Sequence, residues 1–429
     1  MRSGQTCCRV TYGRHLHSRG GTPAPCSRGG PGRQRAVHNA ALLLKRCSLC
    51  RVSLNLDDLL PPPIDGDLRS LFEEAGAQWS DEVGTATTFG NDEQALEKLS
   101  TGVVVFDRTH AARLSVAGPD RLRFLHALCT ADVAGLSSGG GTHAALLTPT
   151  GRVVDAFTLL ALDTSCLLLL SPGAGQPVAA ALKHHLFPAD KVDVMDVTSA
   201  TACFALVGAT VDDVLQRMNA PPGLLEQKPG SHCRVAFQGQ PVILVADCGL
   251  ASPGITLVVD ESVAGALWAA LTGVCKAIPA GTDAWERLRI AEGVPARGAE
   301  LIEDTNALEA GLRHYVSATK GCYLGQEVIA RLTAREGPKQ SLWGLRFNPG
   351  TPCVVGDVVA AATTDGSVAA LGHVSSVCSD DGTALAFIRR AAADTSQLDG
   401  AAVLVGPDKA PGVLQSSAYQ TRFGQLAAA

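Results

Sequence analysis

The run Lys320-Gly321-Cys322-Tyr323-Leu324-Gly325-Gln326-Glu327 places an amine, a thiol, a phenol, an amide and a carboxylate within eight residues, with two glycines between them. It is too polar for a buried strand and too rich in glycine for a helix interior. It reads as a loop where backbone and reactive side chains meet a ligand. Cys322 is its centre: a nearby cation such as Lys320 favours the thiolate, which can bind iron or sulfur transiently or exchange with another thiol. The same residue also suits a small buried position where the loop meets the next domain. Lys320 and Arg331 read either as attractors of an anionic ligand or as solvated charges. Tyr323, Gln326 and Glu327 can order the loop or face a ligand. Glu327 also suits the first turn of a helix beginning near Val328, where the dipole favours an acid.

Other groups stand outside that run. Arg287 and Arg289 alternate along one segment with Glu292 a turn later, a pattern that helix ion pairs explain without a ligand. Asp155 follows the turn Pro149-Thr150-Gly151 and reads either as a hydrogen-bonding carboxylate or as a strand-end residue facing water. Asn306 and Glu309, just before Gly311, read as loop-fixing. Cys47-x-x-Cys50 lacks the second pair that a structural zinc site needs. No Cys/His cluster is dense enough for a resident iron–sulfur centre, so no permanently bound metal is expected.

The elements that position these groups are read from period and punctuation. An acidic helical stretch is expected around Leu68 to Ala77, and short strands at 102–106 and 113–117. Gly118-Pro119-Asp120 then opens a helix with an apolar stripe of Leu122, Leu125 and Leu128. The glycines at 139–141 predict a mobile loop before a hairpin, His143 to Leu147 and Val153 to Leu162, which carries Asp155. Helices are expected at 175–187, 262–274 and 283–292, and strands at 192–207 and 233–246. Beyond 339 the texture changes. Strands at 341–347, 354–361, 367–377 and 383–389, separated by Gly, Pro and Asp turns, predict a small antiparallel barrel or sandwich.

Composition narrows the class. With 429 residues, 46% hydrophobic and 4% aromatic, the chain is expected to be globular, with two or three domains. No apolar run approaches the roughly 18–20 residues of a membrane helix, so no membrane partner is expected. Residues 1–56 hold nine Arg, one Lys and no acid, whereas the remainder holds 26 basic and 41 acidic residues. An Arg-rich, acid-free start is the pattern of an organelle transit peptide, the alternative being a basic arm for nucleic acid. The acidic body argues against direct nucleic-acid binding. Nine of the 14 cysteines are scattered through that body and read as buried hydrophobes in a reducing compartment.

The run at 320–327 resembles the signature of the YgfZ-type proteins, folate-binding relatives of the glycine-cleavage aminomethyltransferase (GcvT) that support iron–sulfur proteins. The same resemblance extends to Val116 through Arg121 with Phe124-Leu125 and Thr130-Ala131-Asp132, and to Thr148 through Arg152 with Asp155. It continues in Glu286 to Arg289, Glu292-Gly293, Arg297, Asn306 to Leu312, and Val328 to Arg331. Lys183 to Val192 is more similar to the plastid branch than to the mitochondrial one.

The resemblance implies an α+β fold: a transit segment at 1–56, a linker and helical extension at 57–99, a GcvT-like folate-binding body at 100–338 built as a ring of ferredoxin-like subdomains around a channel, and a β-barrel at 339–429. It implies chemistry at Cys322 and Asp155, and tetrahydrofolate held by Lys320, Tyr323, Gln326, Glu327, Arg287, Arg289 and Arg331. Lys320 and Arg331 would face the folate glutamate tail, and any cluster at Cys322 would be transient. The implied partners are iron–sulfur assembly proteins and client enzymes, in the chloroplast stroma or alternatively the mitochondrial matrix. Two departures stand out. The transferases carry paired aspartates where Asp155 is followed by Ala156, and a Gly-Tyr-Thr-Gly-Glu-like segment whose glutamate holds the pterin. This chain reads Gly249-Leu250-Ala251-Ser252-Pro253-Gly254 there, without an acid. The expectation is therefore an accessory factor, with a tetrahydrofolate-dependent aminomethyl or one-carbon transferase as the alternative.

Overall fold

The computed structural model describes residues 67–80, 84–334, 337–362, 367–390 and 398–428; the basic segment 1–56, with Cys47 and Cys50, lies outside them. Two sheets form the body. One runs, in spatial order, Gly141–Leu147, Val153–Ala161, Ser165–Pro172, Ala111–Ala117 and Asp193–Asp196, all antiparallel. The other runs His232–Phe237, Gln240–Ala246, Gly254–Asp260, Thr201–Val207, Val104–Asp107 and Ile278–Ala280, with only the last pair parallel. Leu160 and Leu167 of the first sheet, with Leu162 in the turn between their strands, meet Cys203, Ile243, Val245 and Val258 of the second in one buried cluster.

Helices cover the opposite faces. Arg121–Leu128 and Gly175–His184 bury Phe124, Leu125, Val178 and Leu182 on the first sheet. Val211–Arg217 and Ala264–Ala269 bury Val214, Leu215, Leu267 and Trp268 on the second. Each such side chain contributes about 1.5–3 kcal/mol relative to exposure, so this stack is the energetic centre of the body.

Long-range contacts change several sequence expectations. The strand expected at 192–207 divides between the sheets, with a turn at Thr198–Ala200. The buried guanidinium of Arg113 donates to the carbonyls of Thr198 and Thr201 and to the Thr201 hydroxyl, which pins the crossing. The stretch 233–246 is a hairpin, because Gln238 and Gly239 both adopt positive φ, the geometry of a two-residue turn. The helix expected at 262–274 is α-helical over Ala264–Ala269 and widens to a π turn at Ala270–Val274. The glycines at 139–141 are not a loose loop. Gly139 N–H donates to Ala161, its carbonyl accepts from His232, and a Cβ on Gly141 would fall 2.2 Å from the Gly230 oxygen.

The barrel closes through Gln340–Phe347, Thr383–Arg389, Val368–Cys378, Val358–Ala362, Ala402–Val405 and Ala410–Gln415. Closure leaves no unpaired edge. Its last two strands were not foreseen, nor was the helix Ala418–Ala428, which returns to the body and buries Tyr419 and Phe423 with Ala145, Leu147, Val153 and Tyr315. Helix Thr282–Glu292 joins body to barrel. Arg287 forks onto Asp381 at 2.7 and 2.5 Å and also reaches Glu93 at 2.9 Å. Buried Arg289 donates to Glu286, Glu300 and the Ser376 hydroxyl. These commitments correct the assignment of Arg287 and Arg289 to folate: both guanidiniums are fasteners between body and barrel.

Candidate functional site

The signature run is locked onto the hairpin that carries Asp155. A Cβ on Gly325 (φ +81°) would come 2.7 Å from the Thr148 oxygen, and one on Gly151 (φ +73°) would come 2.7 Å from Val328 Cβ. Both sites need a left-handed backbone and no side chain, so the two glycines interlock. Tyr323 is buried in the same cluster as Ala145, Leu147 and Val153.

Lys320 is buried too. Its ammonium donates to the carbonyls of His126, Cys129 and Ala131 at 2.6, 2.8 and 2.7 Å. It thereby closes the C-terminal end of helix Arg121–Leu128, where a cation complements the dipole. Burial pushes its pKa down. This corrects both sequence readings: Lys320 is neither a solvated charge nor a contact for a folate tail. Cys322 is the one exposed cysteine among the nine described, which removes its packing alternative. Gln326 opens helix Gln326–Ala334 and is half-buried, and Glu327 in its first turn and Arg331 near its end are exposed.

Asp155 is fully buried, not a strand end facing water. The ladder shifts register beside it, with Leu147 opposite Val153 and Leu146 opposite Asp155. One carboxylate oxygen accepts from the Ser171 N–H at 3.0 Å, and the other is buried without a partner. Burial raises its carboxyl to about 6, against the lowering effects of Ser171 and Arg297. The Arg297 guanidinium donates to the Val154 carbonyl beside it.

A second acid, missed in the sequence, is Asp247. It is a buried non-glycine residue at φ +135°, a conformation that costs on the order of 1–3 kcal/mol. One of its oxygens lies 2.7 Å from Nε2 of buried His143, and the other is buried without a partner. The His143 ring stacks on Tyr315 at 4.6 Å and 16°, and the Tyr315 hydroxyl is 2.9 Å from that of Tyr419. His314 stacks on Phe423 at 5.0 Å and 10°, its Nε2 buried without a partner. Burial lowers the His314 pKa to about 3, so the ring is neutral. Burial, with the charges of Asp247 and Asp155 adding to it, pushes the Tyr315 phenol up. The available signal was an acid closing the all-apolar run Val242 to Ala246.

The acid-free segment at 249–254 is fastened from two sides. Glu292 accepts from the Ala251 and Ser252 N–H groups and the Ser252 hydroxyl, and burial pushes its carboxyl up. Arg422 of the C-terminal helix donates to the carbonyls of Leu250, Ala251 and Ser252. A cavity of about 820 Å³ beside helix Leu68–Glu74, lined by residues including Arg69, Trp79, His110 and Asp260, contains none of these groups.

The GCVT N-terminal domain family matches residues 71–320. The chain belongs to the GCVT family. "Putative transferase At1g60990, chloroplastic" of Arabidopsis thaliana is 38% identical over 291 residues, 68% of this chain and 67% of that protein. An aminomethyltransferase of Chlorobium chlorochromatii is 30% identical over 247 residues, 56% of this chain and 66% of that protein. This chain thus spans about two thirds of each. The glycine cleavage system aminomethyltransferase T of Bartonella henselae shares the fold, with a TM-score of 0.70 at 21% identity over 82% of this chain and 96% of that one. The architecture is accordingly an α+β GcvT-like body followed by a closed antiparallel barrel. The likeness to the plastid branch agrees with the chloroplastic Arabidopsis relative.

For a GCVT family member, the donor set fits a folate. Asp247, with one buried oxygen left over beside the stacked rings of His143 and Tyr315, suits the N–H group of a planar heterocycle. Among the described residues no group of three or more His, Cys, Asp or Glu is arranged to hold a metal. No described helix is long and apolar enough to cross a membrane.

Proposed function

We propose that this protein is a folate-binding accessory factor for the assembly or repair of iron–sulfur proteins in the chloroplast stroma, with its working thiol at Cys322. The observation that carries the folate half is the buried, unpartnered oxygen of Asp155. Leaving such an acceptor unsatisfied costs about 1–3 kcal/mol, which an N–H of a bound pterin offsets. Arg297, half-buried with a single bond to the Val154 carbonyl, suits an anionic part of the same ligand. Arg331 and Gln326, on the helix that leaves the loop, suit its glutamate tail. Bound tetrahydrofolate supplies a carrier for one-carbon units. The cluster half rests on exposure: Cys322 is presented outward while the other described thiols are buried or half-buried. A cluster would be passing cargo, and assembly proteins and client enzymes would be the partners.

Calorimetric titration tests this. The intact protein binds tetrahydrofolate, and Asp155→Asn weakens binding about 10-fold or more. Cys322→Ala keeps the affinity but fails to restore a cluster-dependent enzyme in a bacterium lacking its YgfZ-type protein. Absence of folate binding by the intact protein overturns the proposal. A second reading, a tetrahydrofolate-dependent aminomethyl or one-carbon transferase, has one observation in its favour. A carboxyl raised to about 6 is poised for proton transfer near neutral pH. Turnover of a one-carbon donor that disappears in Asp155→Asn would select it.

A further inference from the structure

The cavity of about 820 Å³ beside helix Leu68–Glu74 takes no part in the folate reading, and its lining has a chemistry of its own. Its volume is that of a small-molecule site. It lies at one end of the second sheet, where strands Val104–Asp107 and Gly254–Asp260 finish and Thr201–Val207 begins. Phe72, Trp79, Ala202 and Ala264 give it an apolar wall. Around that wall stand four acids, Asp107 and Asp260 half-buried, Asp67 and Glu261 exposed.

Half-buried acids elsewhere are paired: Asp381 with Arg287, Asp163 with Arg234, Asp190 with Arg123. Among the described residues none of the four cavity acids has a cationic partner. Asp67, Asp107 and Asp260 each use a single oxygen, on the N–H of Ser70, Thr109 and Ser262. The second oxygen of each is left over. The one arginine in the lining, Arg69, is already engaged, with Glu73 at 3.1 Å and over the Trp79 ring at 4.5 Å. His110 adds no charge, because burial, then Arg108 and Arg113, lower its pKa to about 3. The lining is therefore net negative, which disfavours phosphates and carboxylates. Burial pushes the Asp107 carboxyl up, a cost that a bound cation relieves. Trp79 Nε1 and His110 Nδ1, in the same lining, are buried without a partner.

The acids are dispersed. Among the described residues no three His, Cys, Asp or Glu are arranged to hold a metal ion. Carboxylates spread round an apolar wall suit a cation whose charges are spaced by methylene groups. Its chain lies on aromatic surface while its ammonium groups reach the acids, as a lysine stem and head do. We propose that this cavity is a second ligand site, for an aliphatic polyamine, with Asp107 and Asp260 holding its ammonium groups and Phe72 and Trp79 its methylene chain. The proposal is independent of the folate reading.

The test titrates the full chain with spermidine by calorimetry at low salt, with circular dichroism as the check on folding. Spermidine is expected to bind one to one. The double variant Asp107→Asn, Asp260→Asn removes two charges from the cavity and is expected to bind about 10-fold or more weakly. Glu303→Gln with Asp304→Asn makes the same charge change at exposed positions outside the cavity and is expected to leave affinity within about twofold. As a second arm that keeps every acid, Ala266→Trp narrows the cavity and is expected to weaken spermidine comparably. Equal weakening by the two charge-matched doubles would reduce the effect to general attraction by an acidic protein and overturn the proposal. A tetralysine peptide that binds and that spermidine fails to displace would overturn it too, giving the cavity to a basic polypeptide. So would the absence of spermidine binding by the intact protein. Tetrahydrofolate affinity of the Asp107→Asn, Asp260→Asn variant is expected to match that of the intact protein, so either reading can fail without the other.

Discussion

The run Lys320 to Glu327 and the acid pair Asp155 and Asp247 flank the same hairpin, yet they declare themselves in opposite ways. The run is conspicuous in sequence, but two of its five reactive groups, the Lys320 amine and the Tyr323 phenol, are spent on structure. Lys320 closes a helix end, Tyr323 fills a core, and Gly325 lets two segments touch. Only Cys322 and Glu327, with Arg331 beyond, stay exposed. The acids are single letters, one within an apolar strand and one just after another, and each has a buried oxygen without a partner. A dense motif therefore marks where the chain must pass close to itself. Half-satisfied burial leaves an acceptor that nothing in the described residues occupies.

Substitutions can break or sharpen that contrast. The largest effect is expected at Lys320: Lys320→Met strands three carbonyls and lowers stability by about 3–5 kcal/mol in urea unfolding. Unchanged stability would return Lys320 to the ligand side of the comparison. Asp155→Asn should act in the reverse direction. Burial pushes the folded carboxyl up to about 6, above the ordinary aspartate range. The folded state therefore holds its proton more tightly, and wild-type stability falls as pH rises through that window. Asn removes the effect and stabilises the apo protein by about 3 kcal/mol at pH 7, with little difference at pH 4, while folate affinity drops. Equal unfolding midpoints at pH 7 would show that Asp155 is not held charged at a cost.

Gly325→Ala forces a side chain into a left-handed backbone against the Thr148 oxygen and should cost about 2 kcal/mol, read as a lowered midpoint. The smallest effect is expected at Cys322. Cys322→Ser should change stability by less than about 0.5 kcal/mol. A larger loss would make the thiol a structural member of the run like its neighbours.

Local pattern carried much of the fold. The stripe Leu122, Leu125, Leu128, the Asp155 hairpin and four barrel strands were legible because period and turn chemistry are short-range. Apart from the local turn at Gln238-Gly239, the main misreadings share a cause: a partner far along the chain. Arg113 divides the 192–207 stretch from 85 residues away. Lys320 finds its carbonyls about 190 residues upstream. His143 and Asp247 are 104 apart, and nothing in either's neighbourhood advertises the pairing. The final strands and helix were hidden because their short apolar segments carry little period of their own.

The return of helix Ala418–Ala428 to the body bears on how the molecule is made. Tyr419, Arg422 and Phe423 come off the ribosome after the whole barrel, yet the body is unfinished without them. Until they arrive Tyr315 lacks its hydroxyl partner, His314 its stacked ring, and Leu250 to Ser252 their guanidinium clasp. A chain trimmed by a protease just before residue 418 would lose all three contacts at once, although the residues of both sheets and the barrel lie upstream of the cut.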